Sequence, residues 1–138
     1  MSCRWKVDRA GVREPFASDV TALLEADPAE WVVHYGRRTR DEQAKLYAIY
    51  LNGGPRAAPP GQSAHEAGLA VDVTLIVPDG PDRKKADWDY THEPWQRLVK
   101  AIRAHPRLHS LANIGDWDHI EAVQWRKIAA GPVPPTHA

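Results

Sequence analysis

A single cysteine, Cys3, stands in a chain of 138 residues, so no intramolecular disulfide can form and a thiolate-rich metal site lacks its ligands. Any metal must therefore be held by His, Asp or Glu. Net charge is missing as well. Eighteen Lys and Arg offset eighteen Asp and Glu, which removes the global field that favours nucleic acid or an anionic membrane surface. No nucleic-acid partner is expected. No apolar run approaches the roughly 20 residues that span a bilayer, and the opening MSCRWKVDRAGVREPF has no apolar core of signal-peptide type. The expectation is a protein synthesised in the cytoplasm, not inserted into a membrane, that needs another protein to release it if its substrate lies outside.

What is present suffices for one hydrophobic core. With 43% apolar residues, positions 1–130 are expected to form one domain, acting as a monomer, and 131–138 (GPVPPTHA) a flexible tail. Ser18, followed by Val20, Leu23 and Leu24, predicts an N-capped helix that stops near Asp27-Pro28. Trp31-Val32-Val33 predicts a short strand. Thr39 and Glu42 have capping-box spacing ahead of Ala44, Tyr47, Ala48 and Leu51, which share one helical face before the stop at Asn52-Gly53-Gly54. Positions 55–61 read as an irregular loop, 68–77 as a strand and 78–90 as a surface loop. Trp95, Leu98, Val99 and Ile102 predict a second amphipathic helix ending before Pro106, and short strands are expected over 111–114 and 118–123. Cys3 is expected in a mobile terminus.

Three segments carry chemistry. In SAHEAGLAVD, His65 lies seven residues before Asp72, across a turn at Gly68, so one imidazole and one carboxylate are available to a metal ion. Alone, such a pair is more often a surface His beside a strand Asp. The segment GDWDHIE adds His119, which completes a three-ligand set, and Asp116, a carboxylate suited to general-base work beside a metal. Asp118 is expected to face solvent at a turn. In HYGRRTRDEQAKLY, Arg38 precedes the capped helix and suits bidentate binding of a carboxylate or of a developing oxyanion. Trp117 is a candidate wall of a substrate cleft, and His34 is the remaining histidine closest in sequence to the arginine turn.

Together these segments resemble the D-alanyl-D-alanine and L-alanyl-D-glutamate zinc peptidases, the group of VanY-type carboxypeptidases, VanX-type dipeptidases and many phage endolysins. The resemblance rests on Arg38-Thr39 with Glu42-Gln43, on Ser63, His65, Gly68, Ala70 and Asp72, and on Asp116 to His119, in that order over roughly residues 30–125. It implies an α+β fold with a small antiparallel sheet flanked by helices, of the hedgehog/D-Ala-D-Ala peptidase type. It implies Zn2+ on His65, Asp72 and His119, Asp116 as general base, Arg38 as substrate or oxyanion clamp, and Ser63 and Trp117 beside the substrate, a peptidoglycan stem peptide. The expected activity is that of a phage or prophage endolysin-type L-alanyl-D-glutamate endopeptidase acting at the cell wall. A D-Ala-D-Ala carboxypeptidase and a non-catalytic zinc-bearing binding module remain alternatives. The turn reads Tyr-Gly-Arg-Arg, so Arg37 is a second candidate for the clamp.

Overall fold

The computed structural model of the protein describes residues 2–131; positions 132–138 of the expected tail lie outside the described residues. Six strands form one sheet: β1 (Ser2–Trp5), β2 (Glu30–Tyr35), β3 (Ala70–Pro78), β4 (Lys84–Asp87), β5 (Leu108–Leu111) and β6 (Asp116–Ala122). Its order is β1-β2-β3-β6-β5, with β4 also paired to β3. Four helices accompany it: α1 (Phe16–Ala26), α2 (Arg40–Leu51), α3 (Glu93–Ala104) and α4 (Trp125–Ala130). The architecture is α+β as expected. One departure from an all-antiparallel sheet is β1, which pairs parallel to β2 and places Cys3 opposite Trp31, so the cysteine sits in a strand. Burial pushes its thiol up to about 11.

β3 is the axis of the sheet. It is nine residues long, and β6 pairs with its start, Ala70 to Asp72, while β4 pairs with its end, Leu75 to Pro78. β2 runs along the other edge. Because side chains alternate across a strand, Val71, Val73 and Leu75 enter the core with Trp31 and Val33, against Phe16, Val20 and Leu24 of α1 and Trp95, Leu98 and Ile102 of α3. The Trp31 and Trp95 rings meet edge to face at 5.0 Å. Both buried indole N–H groups are satisfied, by Asp27 Oδ2 at 3.0 Å and by the Asp87 carbonyl at 3.0 Å. Asp72, Thr74 and Ile76 alternate to the opposite face.

The local signals fared unequally. Thr39 and Glu42 do form a reciprocal capping box at the start of α2. The helical face behind it is little covered: Gln43 is the buried residue of α2, and Leu51 is 65% exposed. α1 begins at Phe16, two residues before Ser18, because the Glu14 carboxylate accepts the Ser18 N–H and hydroxyl at 2.8 and 2.6 Å and takes over the capping task. Positions 84–87 are a strand rather than loop, since β3 outruns β6 and leaves free backbone groups that β4 pairs. The expected strand over 111–114 is displaced to Leu108–Leu111, and Ala112–Ile114 is a 3-10 turn closed by Gly115 at φ 86°.

α3 is tied to the end of α1 by Arg97, whose Nη2 donates to Asp27 Oδ2 at 3.0 Å. Burial opposes charge on Asp27, but hydrogen bonds from Arg97, Trp31 and the Ala29 N–H outweigh it and hold the carboxyl below its ordinary range. A folded-state pKa below the unfolded one stabilises above the ordinary value of about 4, and the stabilisation is lost as pH falls through the lower value. Asp27→Asn should therefore cost about 1–3 kcal/mol near neutrality. Urea denaturation at pH 7 and pH 3 checks this: the difference between wild type and variant should shrink in acid.

Candidate metal centre and cleft

Two strands and one turn bring the donors together. Asp72 and His119 are direct cross-strand partners of β3 and β6. His65 arrives from the turn before β3, which reverses at Gly68 with φ 72°; a Cβ there would lie 2.6 Å from the Gly11 carbonyl oxygen, so glycine is required. Ser63 Oγ accepts the His65 N–H at 3.2 Å and fixes the approach. His65, Asp72 and His119 are all buried, and one ligand atom from each lies within 4.8 Å of the others. His65 Nε2 is 3.5 Å from Asp72 Oδ2, and His119 Nδ1 is 3.4 Å from Asp72 Oδ1.

The far nitrogens decide what this cluster can do. His65 Nδ1 lies 2.9 Å from the Gly36 carbonyl, and His119 Nε2 lies 2.8 Å from Glu121 Oε1. An acceptor at each outer nitrogen holds the proton there in the neutral ring, which turns the other lone pair toward Asp72. This is the arrangement in which metal-binding histidines are oriented by a second acceptor, so the donor set fits a metal ion. Burial works against charge on Asp72, but hydrogen bonds with His119 and His65 overcome it and hold the carboxyl far below the carboxylate range. Burial likewise works against the positive form of His119, yet Asp72 and Glu121 push it up to about 9.

The centre opens into a cleft of about 440 Å³ whose lining includes Arg38, Ser63, Asp116, Asp118 and Arg126. Arg38 Nη2 lies 3.5 Å from Asp72 Oδ2, and Nη1 lies 3.4 Å from Gln43 Oε1. The buried Gln43 amide is itself anchored on the Ala58 carbonyl at 2.8 Å. Arg38 Nε is buried without a hydrogen-bond partner among the described residues. Arg37 is exposed and packs along Gly11, outside the cleft lining.

Two expectations fail in the cleft wall. Asp118 lines the cleft beside Asp116 instead of facing solvent, because β6 bulges: Leu111 pairs with Asp116 while the adjacent Ser110 pairs with Ile120. Burial first, then the charge of Asp72 and a hydrogen bond with Asp116, push the Asp118 carboxyl up to about 7. Trp117 does not wall the cleft; the same bulge turns it toward α3, where it stacks on Tyr90 at 5.7 Å. Glu121 lies two residues beyond His119 on the same strand face, and the contact distance gives it a task. The Gly36 carbonyl carries no sequence signal, and Gln43, part of the Glu42-Gln43 pair of the resemblance, gains its contact with Arg38 only in the fold. His34 joins Thr74 at 2.6 Å and is not part of the donor cluster.

The sequence matches no protein-family model and no curated protein. Solved structures do match. The Serratia marcescens L-Ala D-Glu endopeptidase ChiX is 19% identical, with a TM-score of 0.59 over 88% of this chain and 87% of that one. The LdcB LD-carboxypeptidase is 17% identical, with a TM-score of 0.55 over 86% of this chain and 63% of that one. The vancomycin-resistance D,D-pentapeptidase VanY of the VanB-type cassette, solved with Zn(II), is 21% identical, with a TM-score of 0.50 over 85% and 75%. The chain has the VanY-like peptidase fold. No helix among the described residues is long and apolar enough to cross a membrane.

Removing the acceptor behind His119 tests the centre. Glu121→Ala should weaken Zn2+ binding by about 10–100-fold, read by competition with a chromophoric chelator, while Zn2+ should raise the melting temperature of the parent protein. Equal affinity of the two proteins would mean that Glu121 does not orient His119.

Proposed function

We propose that the chain is a zinc metallopeptidase that hydrolyses a peptide bond in bacterial peptidoglycan stem peptides, as an endolysin-type L-alanyl-D-glutamate endopeptidase of a phage or prophage. The observation that carries this reading is the buried His65, Asp72 and His119 cluster, its imidazoles oriented from behind, opening on a cleft lined by a guanidinium and a carboxylate pair. His65, Asp72 and His119 would hold Zn2+, a metal that the VanY structure contains. When bound there, zinc would supply Lewis acidity that polarises a carbonyl and acidifies water.

This chain's own residues do the rest. Asp116, hydrogen-bonded to Asp118, would accept a proton from the attacking water and return it to the leaving amine. Arg38, held in orientation by Gln43 and Asp72, offers its guanidinium to the oxygen on which negative charge develops, or to a substrate carboxylate. Ser63 shapes the turn that presents His65. The carboxylate pair and the clamp are features that a purely binding module on this fold would not require. The near-complete mutual coverage with ChiX favours the endopeptidase; the carboxypeptidase names of LdcB and VanY support removal of a terminal residue as the second reading. In either case the protein is taken to be made in the cytoplasm and to act as a monomer at the wall after release.

The test is mass spectrometry of a defined stem pentapeptide incubated with the Zn2+-loaded protein. Fragments from a cut after L-Ala are expected; loss of a single D-Ala would replace the endopeptidase with the carboxypeptidase, and an intact peptide would overturn both. A second outcome concerns the base. Asp116→Ala should lower kcat by about 10²–10⁴ with Zn2+ content unchanged, and full activity in that variant would transfer the role to Asp118.

A further inference from the structure

The outer face of the sheet does not end at the metal centre. Along β3, Thr74 and Ile76 follow Asp72 on the same face at steps of about 7 Å, the rise of two strand residues. The register lays two rows across the sheet beyond Asp72. Arg4, Val32 and Thr74 are successive partners on β1, β2 and β3, and Glu30, Ile76 and Ala86 are partners on β2, β3 and β4. These residues line a groove with Lys6, Lys84 and Trp88 at its margins.

Its charge is one-sided in a chain of no net charge. Arg4, Lys6, Lys84 and Lys85 face a single lining carboxylate, Glu30. Glu30 is engaged by Lys84 at 2.8 Å, and Lys85 reaches Asp79 at 3.9 Å. Arg4 and Lys6 are exposed and make no ion pair among the described residues. An aromatic track joins groove to cleft. The Arg38 guanidinium lies 5.1 Å from the Tyr35 ring, Tyr35 lies 5.5 Å from His34, and His34 lies 5.8 Å from Trp88. Tyr35 and Trp88 are 48% and 47% exposed, open faces along which a chain can lie.

We infer that this groove is a second substrate subsite, in which Arg4 and Lys6 bind free carboxylates of stem-peptide residues two to four positions from the scissile bond. The inference rests on the peptidase reading for the identity of the ligand. An extended peptide advances about 3.3–3.6 Å per residue, so residues at that remove from the metal centre fall over the two rows. A stem pentapeptide cut after L-Ala ends four residues beyond the scissile bond, so its free terminal carboxylate falls there, and both unpaired cations are available to it.

The test is a binding cycle by calorimetry, at Zn2+ saturation and in an Asp116→Ala background that keeps the peptide intact. One arm changes the protein with the R4Q/K6Q pair, and the other amidates the carboxylates of the peptide. Loss of both cations should weaken binding of the free peptide about tenfold, with an effect that shrinks at high salt, and should leave binding of the amidated peptide unchanged. The charge-conserving R4K/K6R pair should bind like the parent, which separates loss of charge from loss of fold. Equal affinity of parent and R4Q/K6Q for the free peptide, or an equal loss for both peptides, would overturn the subsite. Coupling in a protein whose parent leaves the peptide uncleaved supports the groove and overturns the peptidase reading; cleavage without coupling does the reverse.

Discussion

A carboxylate buried in the central strand is the constraint around which the rest of the molecule is arranged. Asp72 lies on β3 between β2 and β6, and burying an ionised carboxylate costs several kcal/mol unless partners compensate it. The fold delivers those partners from three directions: His119 from across the strand pair, His65 from the turn at Gly68, and Arg38 from the connection between β2 and α2. Each partner is then restrained in turn, by Glu121, by the Gly36 carbonyl and by Gln43. A cluster restrained from outside keeps its lone pairs convergent without having to reorganise when a cation arrives.

The alternation of β3 divides the molecule between cohesion and chemistry. Val71, Val73 and Leu75 hold α1 and α3 against one face, while Asp72, Thr74 and Ile76 face the cleft and the groove. A one-residue slip of β3 would exchange the two sets, burying the carboxylate among the tryptophans and exposing the aliphatic residues. The Asp27–Arg97 tie and the paired indoles fix the helices on the inner face, so the outer face is free to carry charge.

The departures from expectation arise where strand pairing or a neighbouring side chain overrides the local pattern. Asp118 and Trp117 exchange their expected surroundings because β6 bulges between its pairing with Leu111 and its pairing with Ser110, and nothing in GDWDHIE announces a bulge. β4 was hidden because Lys84 to Asp87 has neither apolar alternation nor β-branched residues; it is a strand because β3 has unpaired backbone there. α4 follows β6 directly, a helix that its short sequence does not advertise, and carries Trp125 into the core. Where a local preference stood alone, as at Ser18, a neighbouring side chain displaced it.

The capping box of α2 and the strand character of β3 were legible in the sequence by itself, because each depends on spacing within a few positions, while the α+β class and the grouping of His65, Asp72 and His119 were legible through the motif resemblance. Tertiary structure alone decided which nitrogen of each histidine is free, that Asp118 joins Asp116, that Arg38 rather than Arg37 enters the cleft, and that Arg4 and Lys6 share a face with Asp72. Those outcomes depend on strand register and on a bulge, and register is fixed by pairing between segments far apart in the chain. Local chemistry selects the groups; long-range pairing decides which of them meet.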